Sequence, residues 1–147
     1  MNLDSIGYSI STDKTKLDFE MIHRFLSTSY WSKNIPLQTV KKAAANSLCF
    51  GVYYKNKQIG YARVISDFAS FAYLADVFVD EKHRGKGVSK YLMQYILDYP
   101  DLQGLRRWML ATQDAHALYA KFGFVPLAAP KRFMEKHCPT VYQNSTL

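Results

Sequence analysis

A chain of 147 residues, 48% apolar and 21% charged, has the length of one domain, 1–147, with a substantial core. A net charge of +7 calls for an anionic partner, but the basic residues are scattered and carry no zinc-finger or RNA-recognition signature, which disfavours nucleic acid. No apolar run approaches the ~20 residues needed to span a membrane; with no basic-then-apolar leader in Met1-Asn2-Leu3-Asp4-Ser5, a cytoplasmic location is expected.

In chain order, Tyr8 to Ser11 alternates as a short strand, and Asp18 to Ser27 places Phe19, Ile22, His23, Phe25 and Leu26 at near-helical spacing. Pro36 marks the start of a second helix, Leu37 to Ala45. Leu48 to Tyr54 and Gln58 to Ser66 read as a hairpin about the polar turn Lys55-Asn56-Lys57. Cys49 lies in the first of these strands as a core thiol; neither it nor Cys138 has metal or redox spacing, so no metal is expected. Ser70 to Asp80 is a long apolar strand, followed by a glycine-containing turn and a helix, Gly87 to Leu97, that ends before Pro100. A strand at Arg107 to Thr112, a helix at Ala115 to Phe122, a strand start at Phe124 to Pro126 and a last strand at Phe133 to Lys136 complete the chain. Hairpin strands that give way to alternating strands and helices predict a mixed α+β sheet with helices on both faces.

The turn after the long strand carries the chemistry. It reads Arg84-Gly85-Lys86-Gly87-Val88-Ser89 and opens directly into a helix. Glycines there let backbone N–H groups converge without side chains in the way, and the helix start favours negative charge. With Arg84 and Lys86 adjacent, this is a phosphate or pyrophosphate site. A Walker loop is absent, and Lys90 occupies the third small position of a dinucleotide fingerprint.

This loop resembles the pyrophosphate loop of the GNAT superfamily of acyl-CoA-dependent N-acetyltransferases, Gln/Arg-x-x-Gly-x-Gly/Ala, with Ser89 in place of the last small residue. A second family element follows in order: the strand Trp108 to Thr112, a helix bearing Leu118-Tyr119, then Phe122-Gly123-Phe124. The resemblance covers Ile59 to Val125 and is thin over the first fifty residues. It implies a central, mostly antiparallel twisted sheet of six to seven strands flanked by about four helices. It also implies acetyl-CoA as cosubstrate and an amine of a small molecule or protein as acceptor. A homodimer is compatible with it.

By position, the resemblance makes the Val77 N–H the donor to the thioester carbonyl, with Phe78 and Val79 along the pantetheine arm. It makes Arg84, Gly85, Lys86, Gly87, Val88 and Ser89 the phosphate loop, and Tyr119 the acid beside the CoA sulfur. Asp114 stands where the family often has Asn; it is suited to cap its helix, and a pantetheine contact is left open. The glutamate base of the histone-type branch is replaced by Tyr73. Asp76 has three open roles: binding a cationic substrate, acting as a base through water, or capping a turn. Strict alternation sets it on the face opposite Tyr73 and Val77. Asp67 and His116 are lesser candidates. Tyr30 and Trp31 form either an aromatic wall for the acceptor or a hydrophobic plug, and Phe68, Tyr73 and Phe133 would complete the wall. The retained Tyr119 favours an enzyme; the missing glutamate keeps open a CoA-binding module without catalysis.

Overall fold

Chain order becomes sheet order. The computed structural model describes residues 2–143. In it β1 (Tyr8–Ser11), β2 (Leu48–Tyr54), β3 (Lys57–Ser66), β4 (Phe71–Val79) and β5 (Arg107–Leu110) lie side by side in that sequence. The first three pairings are antiparallel; β4 and β5 are parallel, joined through a helix as a parallel pair must be. The β2–β3 turn has positive φ at both Lys55 and Asn56, as a tight type I′ hairpin requires.

Helices cover both faces. α1 (Phe19–Leu26) is capped by the Asp18 carboxylate, which accepts from Met21 N–H. It packs beside α2 (Leu37–Ala45), and together they bury Ile22, Leu26, Val40 and Ala44 against Cys49, Tyr61 and Phe78 of the sheet. The opposite face receives α3 (Val88–Leu97) and α4 (His116–Ala120). There Val88, Leu92, Met93 and Ile96 meet Phe50, Val52, Ala62, Val64, Leu74 and Val79. Each such buried aliphatic side chain stabilises the fold by about 1.5–3 kcal/mol relative to exposure.

The sheet has five strands among the described residues, not six to seven. The expected strands at Phe124 to Pro126 and Phe133 to Lys136 do not form. Pro126 and Pro130 supply no N–H to a ladder, and although Phe133 is extended it has no strand beside it. Strand β5 and helix α4 are also shorter than expected, because the chain from Ala111 to Ala115 turns away from the sheet.

Candidate active site

A break in β4 creates the site. Tyr61 pairs with Phe78 and Arg63 with Ala75, so Ala62 faces two residues, Asp76 and Val77. One extra residue in a strand is a bulge, which bends the strand and removes backbone groups from the ladder. Asp76 adopts φ +56, the left-handed region that Asp tolerates better than most residues. The bulge reverses the facing of everything beyond it. Leu74 joins the α3 side, and beyond the bulge it is Val77 and Val79 that do so. Asp76 is therefore on the face of Tyr73, not opposite it as strict alternation predicts. On the other side of β4, pairing with β5 stops at Leu74 and Leu110. The strands then splay, leaving the edge of residues 75–79 beside a cleft of about 540 Å3. That is the size of a small-molecule site.

The phosphate loop lies at the end of this strand. Gly85 and Gly87 have φ of +76 and +83, and a Cβ on either would project into open space. Gly87 is the N-cap of α3, with no side chain capping it, and the first backbone bond of the helix runs from Tyr91 N–H to the Gly87 carbonyl. The N–H groups of 85–90 thus have no backbone partner, and Lys86 is exposed next to them. This is an empty-sided cradle of donors that fits a pyrophosphate. Arg84 is partly committed: its Nε donates to the Val79 carbonyl at 3.1 Å, tying the loop to the strand end. The segment is braced from both sides. Tyr8 Oη and His83 Nδ1 are 2.7 Å apart before the loop, and Tyr91 bonds Asp4 after it.

Tyr119 reaches the cleft from α4. Its residue is only 8% exposed, its ring meets Phe124 edge-on at 6.0 Å, and it lines the cleft with Val77. Burial pushes its phenol up to about 12, and Tyr30 and Asp114 add to the rise. The group therefore keeps its proton at every physiological pH and stays available as a hydrogen-bond donor, though as a weaker acid than a free phenol. Asp114 lines the cleft but does not cap α4: the N-cap is Ala115, whose N–H donates to Thr112 Oγ1 at 3.1 Å. The Thr112 contact fixes the turn that leads into α4, whose own first N–H groups have no side-chain cap.

The opposite wall comes from the loop between α1 and α2. Tyr30 and Trp31 stand edge to face at 5.0 Å and line the cleft with Tyr73. They are 54% and 41% exposed, so neither is sealed between helix and sheet. Both are fastened. Tyr30 Oη accepts from the Gln113 N–H at 2.9 Å, and Trp31 Nε1 donates to Asp76 Oδ1 at 3.0 Å. The other oxygen of Asp76 accepts from Arg63 Nε at 2.9 Å. Asp76 thus has a cation and an indole as partners, which answers the cost of a carboxylate within an apolar strand.

Several expected residues lie elsewhere. Phe68, with φ +61, sits in the β3–β4 turn beside Ser47 and Lys14. Phe133 stacks on the Arg107 guanidinium at 4.9 Å and lines a separate groove of about 490 Å3. Neither joins the aromatic wall. Asp67 is a turn residue: the Ser70 hydroxyl and the N–H groups of Ser70, Ala69 and Phe71 hold its carboxyl well below the usual range. His116 is exposed on α4, outside the cleft lining. The residue missed by sequence reasoning is Arg63. Its signal was a lone charge in the otherwise apolar run Ile59 to Ile65.

Among the described residues no group of three His, Cys, Asp or Glu gathers as a metal site, and no helix is long and apolar enough to cross a membrane. The family model described as acetyltransferase (GNAT) family matches residues 19–124. A curated relative from Gibberella zeae, named as a candidate acetyltransferase, is 31% identical over 137 residues, covering 78% of this chain and 76% of its own. A crystal structure of a candidate acetyltransferase of the GNAT family from Xanthomonas campestris superposes with a TM-score of 0.90 at 52% identity. That match covers 92% of this chain and 96% of the other. A more distant structure, a Clostridium acetobutylicum acetyltransferase solved with acetyl-CoA, shares the fold at TM-score 0.64 and 15% identity, covering 88% and 94%. With its bulged strand, glycine cradle and cleft tyrosine, this chain belongs to the GNAT acetyltransferase family.

Proposed function

We propose that the protein, acting as a single domain over 1–147, transfers an acetyl group from acetyl-CoA to an amine by direct attack. The observation that carries this reading is that Val77, at the free β4 edge, and the Tyr119 phenol line one cleft, while the same strand runs on through Val79 to the donor cradle of residues 85–90. The loop Arg84 to Ser89 holds the pyrophosphate, and the backbone of Val77 to Val79 receives the pantetheine arm as an added strand would be received. The Val77 N–H faces the thioester oxygen, where charge develops. The amine lone pair forms the C–N bond as the C–S bond breaks. Tyr119 gives its proton to the departing thiolate and regains one from solvent. The proton lost by the amine leaves through the open mouth of the cleft.

Tyr30, Trp31 and Tyr73 give the acceptor an aromatic wall suited to a cationic or aromatic amine. Both Asp76 oxygens are already engaged and Arg63 balances the carboxylate charge, which favours a part in fixing the acceptor side over a free base. Asp114 lies at the same rim and contacts the pantetheine side in this reading. The test is release of free CoA thiol from acetyl-CoA with a panel of polyamines, amino acids, aminoglycosides and peptides. Thiol release that depends on one class of amine supports an N-acetyltransferase. Tight acetyl-CoA binding with no amine-dependent release would instead support a CoA-binding module.

A further inference from the structure

Asp76 links two parts of the cleft, the β4 bulge beside Val77 and the Trp31 side of the aromatic wall. It sits in the bulge next to Val77, so its backbone geometry aims the Val77 N–H. Its carboxylate holds Trp31, so its side chain fixes the acceptor wall. Both tasks need the carboxylate to stay in one place. What holds it there is Arg63 from β3. The Arg63 guanidinium spans from Asp76 Oδ2, at 2.9 Å, to Ser47 Oγ, at 3.1 Å from Nη1, and the Ser47 hydroxyl donates to the Ala43 carbonyl in the last turn of α2. The side chains of Arg63 and Asp76 are 16% and 9% exposed, so water screens their attraction little.

We infer that Arg63 is a positioning residue: through Asp76 it locks the β4 bulge and Trp31 into one arrangement, coupling the end of α2 to the acceptor wall. This inference rests on the proposed acetyl transfer for its kinetic consequence but not for its spectroscopic one. A planar guanidinium can engage Asp76 and Ser47 together, whereas a single ammonium on a shorter reach can hold only one of them well. Without Arg63 the carboxylate must find water, Asp76 loses the partner that stabilises its left-handed backbone, and Trp31 loses its anchor.

The test uses the full chain carrying Trp108→Phe, so that Trp31 is the sole tryptophan. Arg63→Gln is compared with Arg63→Lys and the parent. The expected result is a red-shifted Trp31 emission in Arg63→Gln with partial recovery in Arg63→Lys. Turnover falls by as much as about 10²-fold, the scale of a misplaced reacting group, while acetyl-CoA affinity by calorimetry stays within about twofold. A merely structural Arg63 would lower the melting temperature but leave Trp31 emission and turnover unchanged at temperatures well below melting, and that result overturns the inference. If Arg63→Gln does not fold, Asp76→Asn tests the same link from the other end. Its single carbonyl oxygen cannot serve both the indole and Arg63, so the triad is broken; a Trp31 emission shifted in Asp76→Asn supports the coupling and an unchanged one overturns it. If the parent itself acetylates no amine, the proposed function fails, and the emission series still decides the coupling.

Discussion

The two halves of the proposed site, a cofactor half at the strand end and glycine loop and an acceptor half at the aromatic side of the cleft, are built in opposite ways. The cofactor half is a continuous piece of chain: the end of β4, the glycine turn and α3 occupy residues 77–97. Its geometry follows from local rules, namely positive φ at two glycines and free N–H groups at a helix start. The acceptor half joins residues far apart in sequence. Trp31 meets Asp76, Asp76 meets Arg63, Arg63 meets Ser47, and Tyr30 meets Gln113. The difference teaches that the cosubstrate site is a property of a motif, whereas the acceptor site is a property of the packed fold. On the proposed function, damage to the first should remove acetyl-CoA binding, and damage to the second should change which amine reacts and how fast.

The largest expected effect is at the junction of the halves. Tyr119→Phe keeps the ring against Phe124 and deletes only the proton donor. Turnover should fall by roughly 10²–10⁴-fold with acetyl-CoA binding close to normal. A variant as fast as the parent on an acetylated substrate would remove Tyr119 from proton transfer and leave it a packing residue.

Next comes the cofactor half alone. Gly87→Val places a β-branched side chain at φ +83, in the space where phosphate approaches. Acetyl-CoA affinity measured by calorimetry should drop by at least about tenfold, or ~1.4 kcal/mol. Gly87→Asn separates the two causes, since Asn tolerates the left-handed backbone. If Asn also blocks binding, the added side chain is at fault; if Asn binds normally, strain alone explains the Val variant. Unchanged binding by both would sink the phosphate-loop assignment.

The contrast between the halves also decides what sequence alone could deliver. The loop Arg84 to Ser89 and the Leu118-Tyr119 helix are short-range patterns, legible from local spacing; the roles proposed for them come from the family resemblance. Helix α2 was bounded to the residue because Pro36 fixes its start. The facing of Asp76 was not visible. Alternation fails at a bulge, and the bulge arises from the register of β3 against β4, which no local spacing encodes. The missing strand at Phe133 to Lys136 is likewise a matter of tertiary placement: β5 is the edge strand of the described sheet, and Phe133 lays its ring on the Arg107 guanidinium instead of pairing with that edge. Residue type alone groups Phe68 and Phe133 with the wall, whereas the path of the chain sets their neighbours.

A smaller effect is expected from pH. Burial raises the Tyr119 pKa to about 12, so its donor form persists across the working range. The attacking amine must be neutral, and an ordinary amine has a pKa near ~10. Turnover should therefore rise with pH from 7 towards the acceptor's own pKa, with no falling limb by pH 10. A fall between pH 8 and 10 in a folded protein would mean that a donor of lower pKa than Tyr119 controls the step.

The smallest effect concerns salt. Lys86 and Arg84 are exposed at the cradle, and exposed charges are screened over ~8 Å at physiological ionic strength. Acetyl-CoA affinity should weaken by a few-fold between low and high salt. Affinity indifferent to salt would assign the binding to backbone N–H groups and apolar contacts instead.

The account stands most directly on the fate of the acetyl group. Intact-mass measurement of the amine after incubation with acetyl-CoA, run alongside thiol release, tests it in one experiment. The account predicts one acetyl group gained per thiol released, dependent on Tyr119. Thiol release with an unmodified amine, or a stable acetyl-CoA complex that no amine discharges, would contradict it.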